Sequence, residues 1–159
     1  MKIKKLLCGT IIIILTVAVT ALVLRFIVLG QTLPASQADK RTAIIVTEAE
    51  RTFMLANMRA MLVGTQQILQ ASLNQDMPAV IAAAELLGMK KTHHTSSGLT
   101  GKLPLGFKKL ALSTHRAFDQ IALDGKDLGD KEHSLEQLNE ILARCVACHA
   151  AYRLIKQKP

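Results

Sequence analysis

The chain has no Trp, one Tyr and four Phe among its 159 residues, so any core must be built from aliphatic side chains. Three Cys are too few for the disulfide framework of a small exported scaffold. Outside the N-terminal segment no alternating, strand-like run stands out. Ala, Leu, Met, Gln, Glu and Lys dominate instead, which is a helix-forming composition. All twelve acids lie from Gln31 onward with sixteen of the twenty Lys and Arg, so that part carries +4 rather than the +8 of the whole chain. No basic patch is interleaved with aromatics, and no nucleic-acid partner is expected. The mild positive charge suits an acidic partner or anionic lipid headgroups. A Ser-His-Asp set, paired carboxylates and a Gly-rich phosphate loop are also missing, so the sequence predicts no enzyme.

What the N-terminus does have is a long uncharged run. After Met1-Lys2-Ile3-Lys4-Lys5, nineteen residues from Leu6 to Leu24 carry no charge. That is close to the roughly 20 residues that cross a bilayer, and longer than the roughly 7–15 of a cleaved signal's apolar region. The leading lysines hold the N-terminus in the cytoplasm. Residues 1–29 are therefore expected to form one transmembrane anchor in a bacterial inner membrane, with everything after Arg25 in the periplasm. Ser36-Gln37-Ala38 offers small residues to a signal peptidase, so cleavage before Asp39 is the alternative. Leu6-Leu7-Cys8-Gly9 precedes the apolar run, whereas a lipoprotein box follows one, and Cys8 reads as a small apolar residue in the membrane.

Residues 30–39, with Gly30 and Pro34, read as a linker. Residues 40–159 are enough for one compact domain. A first helix is expected from Lys40 to Leu73, with Ile44, Thr47, Arg51, Leu55, Met58, Leu62, Thr65 and Leu69 as its buried stripe and Met54, Met61 and Ile68 flanking it. Asp76 is a candidate N-cap and Pro78 a first-turn residue for a second helix over 77–87. Gly88 to Lys102 reads as a loop carrying His93 and His94. Pro104 opens a third helix, closed by Asp124-Gly125. After a charged loop, Ser134-Leu135-Glu136-Gln137 is a capping box, and a fourth helix runs to Lys156. Four amphipathic helices with short connections predict an all-α, antiparallel four-helix bundle preceded by one transmembrane helix.

The chemistry is concentrated in Cys145-Val146-Ala147-Cys148-His149 on that last helix. Two thiols three positions apart can each add to a haem vinyl group, and the adjacent imidazole can coordinate the iron from the same turn. Zinc needs four ligands. With no second Cys pair, His115 or His133 would have to complete an unusual set. A thioredoxin-like dithiol would follow a strand, whereas the residues before Cys145 have helical periodicity. One covalently bound haem c per chain is the expected cofactor.

Closing the last of four helices, Cys145-Val146-Ala147-Cys148-His149-Ala150-Ala151-Tyr152-Arg153 resembles the end of cytochrome c′ and its low-spin, Met-ligated relatives among the class II c-type cytochromes. Arg51 followed by Leu55 is similar to the Arg and distal apolar residue of that family's first helix. The resemblance implies a four-helix bundle with haem held by Cys145 and Cys148 and with His149 as proximal iron ligand. It also implies that the distal side is either filled by a first-helix Met or left open behind an apolar residue. Met58, at the centre of the expected stripe, is the expected distal ligand. Met54 and Met61 are the other candidates, and a five-coordinate iron facing Leu55 is the remaining one. Arg153, four residues beyond His149, is expected either to cover the proximal pocket or to be an ordinary solvated residue. His115 and His133 are expected on solvated surfaces. The implied function is one-electron transfer with redox partner proteins of the periplasm or inner membrane, as a monomer or a homodimer. The alternative is a haem protein that binds nitric oxide or carbon monoxide.

Overall fold

The structure, a computed structural model, describes residues 2–157, and within them all side chains except those of residues 2–6, 8, 91, 93, 94 and 97. Expectations for the side chains of Cys8, His93 and His94 lie outside the described residues. The chain begins with α1 (Lys2–Val23), which continues into a wider π-helical turn (Leu24–Leu29). Gly9–Leu29 is an apolar stretch of 21 residues with mean hydropathy 2.8, long enough to cross a bilayer as an anchor or to serve as a signal sequence. Every residue from Gly9 to Ile27 is exposed.

The expected linker is structured. Gly30 ends the π-helical turn at φ +66°, and Arg25 donates a hydrogen bond to its carbonyl. Strand β1 (Thr32–Leu33) then pairs antiparallel with β2 (Thr42–Val46), and β2 pairs in parallel with β3 (Tyr152–Lys156). The chain is mostly helical, as expected, with one apolar helix at its N-terminus, and this small three-stranded sheet is its departure from an all-α fold. Thr42-Ala43-Ile44-Ile45-Val46 is rich in β-branched residues, which favour strand over helix. The first long helix, α2 (Glu48–Leu73), consequently starts eight residues later than expected, at a capping box. The Glu50 N–H donates to Thr47 Oγ1 at 3.2 Å and the Thr47 N–H to Glu50 Oε2 at 2.7 Å.

The face of α2 also differs from the expected stripe. Leu62 is 69% and Leu69 43% exposed, while Met54, Gly64, Thr65, Ile68, Ala71 and Ser72 are buried. The line taken as flanking is the core line, because α3 (Met77–Glu85) and α6 (Lys131–Ala151) both pack on that side of α2. Helix α3 is capped by Asp76, which accepts from the Ala79 N–H at 3.0 Å, with Pro78 in the first turn as expected. The expected loop over 88–102 holds a 3₁₀ turn (Met89–His94) and α4 (Ser97–Lys102).

Helix α5 (Leu105–Asp127) follows Pro104 and runs past its expected stop at Gly125. That glycine lies inside the helix and packs closely on α3, where a Cβ would meet Ile81 Cγ1 at 2.9 Å. Helix α6 begins at Asp130, whose carboxylate accepts from the Glu132 and His133 N–H groups at 2.9 and 3.2 Å. Ser134, expected as its cap, is buried one turn inside and donates to the Asp130 carbonyl at 2.9 Å. Helix α6 stops at Ala151 rather than Lys156, because Tyr152 turns extended and enters the sheet.

Helices α2 and α5 each pack against α3 and α6. Between them lie two separate apolar clusters. One gathers Ile68, Val80, Leu87, Phe118, Leu138 and Ile141; the other, beside the sheet, gathers Ile44, Val46, Met54, Leu99, Leu103 and Phe107.

Candidate cofactor cavity

The seam between the two clusters passes through the last turns of α6. Cys145 packs against the first cluster and Cys148 against the second. Between them opens a predominantly apolar cavity of about 360 Å³, lined by Cys145, Cys148 and His149 from α6 and by Met54, Met58 and Met61 from α2. Helix α5 supplies residues from Phe107 to His115, a span of about 12 Å at 1.5 Å per residue. Volume and lining fall within the range of small-molecule pockets.

A second cavity of about 350 Å³ adjoins it, sharing Met58, Phe107, Cys148 and His149. Its other walls are mixed: Leu55, Tyr152 and Leu154 stand beside Arg51 from α2, Asp39 and Arg41 from the segment before β2, and Arg153 from β3. Three guanidinium groups against one carboxylate make this side receptive to anions. His149 is exposed and stands between the two spaces.

Each side chain is placed by its element. The helical rise brings Cys145, Cys148 and His149 to one side of α6. The parallel pairing of Thr42 with Tyr152 through Val46 with Lys156 ties the strand entering α2 to the strand leaving α6. The start of α2 is thereby held beside His149, with Leu55 in the second cavity and Met58 in both. Met54 is almost fully buried in the sheet-side cluster, and Met61 packs on the far cluster. Met58 and Met61 are both half-buried, and of the three methionines Met58 is the one that borders both cavities. Arg153 lines the second cavity from strand β3, with its Nε 3.3 Å from Asp39 Oδ2.

Burial pushes the thiols of Cys145 and Cys148 above the usual range, so both are neutral S–H groups at neutral pH. Two cations in the apolar wall have their charged heads engaged. Arg144 donates to the Ser113 carbonyl at 2.7 Å, and Lys108 donates to the Phe26 and Ile27 carbonyls at 2.9 and 3.2 Å. Burial lowers the pKa of Lys108.

His115 departs from expectation. It is half-buried in the cavity wall, with Nδ1 2.6 Å from the Leu87 carbonyl. A carbonyl only accepts, so Nδ1 carries the proton. His133 lies elsewhere, with Nε2 3.2 Å from Asp124 Oδ2. Among the described residues no group of three or more His, Cys, Asp or Glu could hold a bare metal ion.

Sequence reasoning missed Phe107, Lys108, Asp39 and Arg41. The first two looked like ordinary residues of an amphipathic helix, and the other two lay in the segment read as linker and helix start. Pro104, which fixes where α5 begins, was the one local signal pointing toward Phe107 and Lys108. No protein-family model, curated protein or solved structure matches the chain.

Proposed function

We propose that the chain is a membrane-anchored, single-haem c-type cytochrome that transfers one electron at a time, its body on the periplasmic side of a bacterial inner membrane. The observation that carries this reading is that Cys145, Cys148 and His149 all line one apolar cavity, which interrupts the core where two clusters fail to meet. The fold then reads as an antiparallel four-helix bundle of α2, α3, α5 and α6 around a covalently held haem c. Cys145 and Cys148 would hold the group through thioether bonds, and His149 and Met58 would ligate its iron. Arg41, Arg51 and Arg153 face its carboxylates.

A bound haem c supplies a one-electron iron couple, and a His/Met ligand set raises its potential. The chain's own residues do the rest. The mostly apolar walls limit water around the haem, and the paired strands β2 and β3 hold the start of α2 beside the end of α6, an arrangement that favours fast transfer. Leu55 also lines the space beside His149, one turn before Met58. An apolar residue in that position favours the alternative, an open iron that binds nitric oxide or carbon monoxide.

Optical spectra of the protein purified from membranes, taken in both oxidation states, test the reading. Haem that survives denaturation, low-spin bands and a near-infrared sulfur-to-iron absorption lost in Met58→Ala are expected. A high-spin oxidised spectrum with ready carbon monoxide uptake would assign the gas-binding alternative instead. Absence of covalent haem would refute both.

A further inference from the structure

Charge is distributed unevenly along the body. At the end where α1 joins, segments 25–51, 97–111 and 150–157 carry nine Lys and Arg against three acids, a net +6. Segments 52–96 and 112–149, the middle and the opposite end, carry seven against nine, a net −2. The three acids of the basic end are all ion-paired: Asp39 with Arg41 and Arg153, Glu48 with Lys156, and Glu50 with Lys102. Lys40 and Lys109 are exposed there. The same end continues the apolar surface of the N-terminal helix, with Leu29 58% and Leu33 49% exposed.

The junction is built rather than loose. Lys108, a wall residue of the apolar cavity, reaches the carbonyls of Phe26 and Ile27 in the last turn of the apolar helix, where no intrahelical donor is available. The Gln31 N–H donates to the Lys102 carbonyl at 2.7 Å, and the Ile45 N–H donates to the Gln31 carbonyl at 2.8 Å. Gly30 lies so close to the backbone of 102–104 that no Cβ would fit.

We propose that this basic end rests on the bilayer from which α1 emerges, with the exposed Lys40 and Lys109 on anionic headgroups and Lys108 as the joint, so that the cavity is held at the membrane surface. The bilayer is favoured as occupant because the patch is continuous with the apolar helix. Its charge is also opposite to anionic lipid, which attracts Lys and Arg within a Debye length of about 8 Å. Segment 31–33, hydrogen-bonded into the sheet, cannot act as a free tether that lets the body turn away. An electron partner of the cavity is then confined to the membrane or its surface. The inference rests on α1 being a retained anchor and not on the identity of the cofactor.

The absence of Trp gives a clean optical test. Gly98→Trp, where a Cβ meets no atom within 4 Å, marks the basic end on α4, and Leu128→Trp, at a residue 63% exposed, marks the opposite end. Each full-length variant is placed in nanodiscs of phosphatidylcholine and phosphatidylglycerol, with or without bromine on the upper acyl carbons. Intact mass confirms that residues 1–38 are present, and haem absorbance is read separately. Several-fold stronger bromine quenching at position 98 than at 128 is expected, with the difference shrinking in pure phosphatidylcholine and in Lys108→Met. Equal quenching at both positions would overturn the proposal, as would a purified chain that begins at Asp39. Loss of haem with the quenching difference intact would instead count against the cytochrome reading alone.

Discussion

Gly30 joins the apolar helix to everything that follows. Its φ of +66° is the left-handed region, and the Lys102 carbonyl occupies the space a side chain would need. Gly30→Ala is expected to cost about 1–3 kcal/mol, read as a lower unfolding temperature, whereas Gly98→Ala, in open space, should stay within about 0.5 kcal/mol. Nearby, the Arg41 guanidinium and backbone N–H donate to Asp39 at 2.9–3.0 Å and hold its carboxyl at about 2. That is below the unfolded value of about 3.9. The stabilisation is therefore present above about pH 4 and is lost as pH falls through about 2. A carboxyl-carbon NMR titration should show this midpoint, and Arg41→Gln should move it up toward the ordinary range. Asp39 reads as a linker residue because its place in the cavity wall, and its pairing with Arg153, depend on where β2 and β3 meet. Cys145, Cys148 and His149 were legible because their mutual spacing is set within little more than one helical turn.

At the scale of elements, the faces of α2 and the small sheet decide the site. Helical periodicity alone cannot say which of two adjacent apolar lines faces inward, and α2 carries two. The structure buries the line of Met54, Gly64 and Ile68 and leaves Leu62 out. Ile68→Ala is expected to destabilise by about 2–5 kcal/mol, and Leu62→Ala by no more than about 0.5 kcal/mol, in denaturant unfolding. Strand β2 was hidden because Ile44 and Thr47 happen to extend the helical spacing of α2. Its β-branched content and the Thr47–Glu50 capping box were the local signals for a boundary. Ile44 is fully buried, so Ile44→Ala should cost a similar 2–5 kcal/mol. Because β2 and β3 tie together the elements bearing Met58 and His149, the proposed cytochrome reading expects the same change to broaden or shift the haem spectrum, and a change in α3 to leave it as it is.

For the whole molecule the cavity is the main energetic feature. The walls of the cavity of about 360 Å³ are mostly apolar and face solvent when it is empty, so a group that covers them would stabilise the fold. The double substitution Cys145→Ala with Cys148→Ala should therefore yield a haem-free chain that unfolds at markedly lower temperature. Adding free haem should restore part of the loss through His149 and the apolar walls. A double variant as stable as the original would mean that the cavity needs no occupant, and would count against the cytochrome reading.

The sequence by itself determined the features whose physics is local. These are the apolar N-terminal helix, set by uninterrupted hydropathy; the start of α3, set by Asp76 and Pro78; and the Cys145–His149 constellation, set by helical rise. Only the tertiary structure decided that residues 42–46 and 152–156, more than a hundred positions apart, pair as parallel strands, because that pairing requires the whole helical body to return the chain to its start. It also decided which line of α2 is buried, that a cavity separates two cores, and that Lys108 joins the cavity wall to the apolar helix. Those outcomes depend on packing among elements distant in sequence, and no local pattern of residues encodes them.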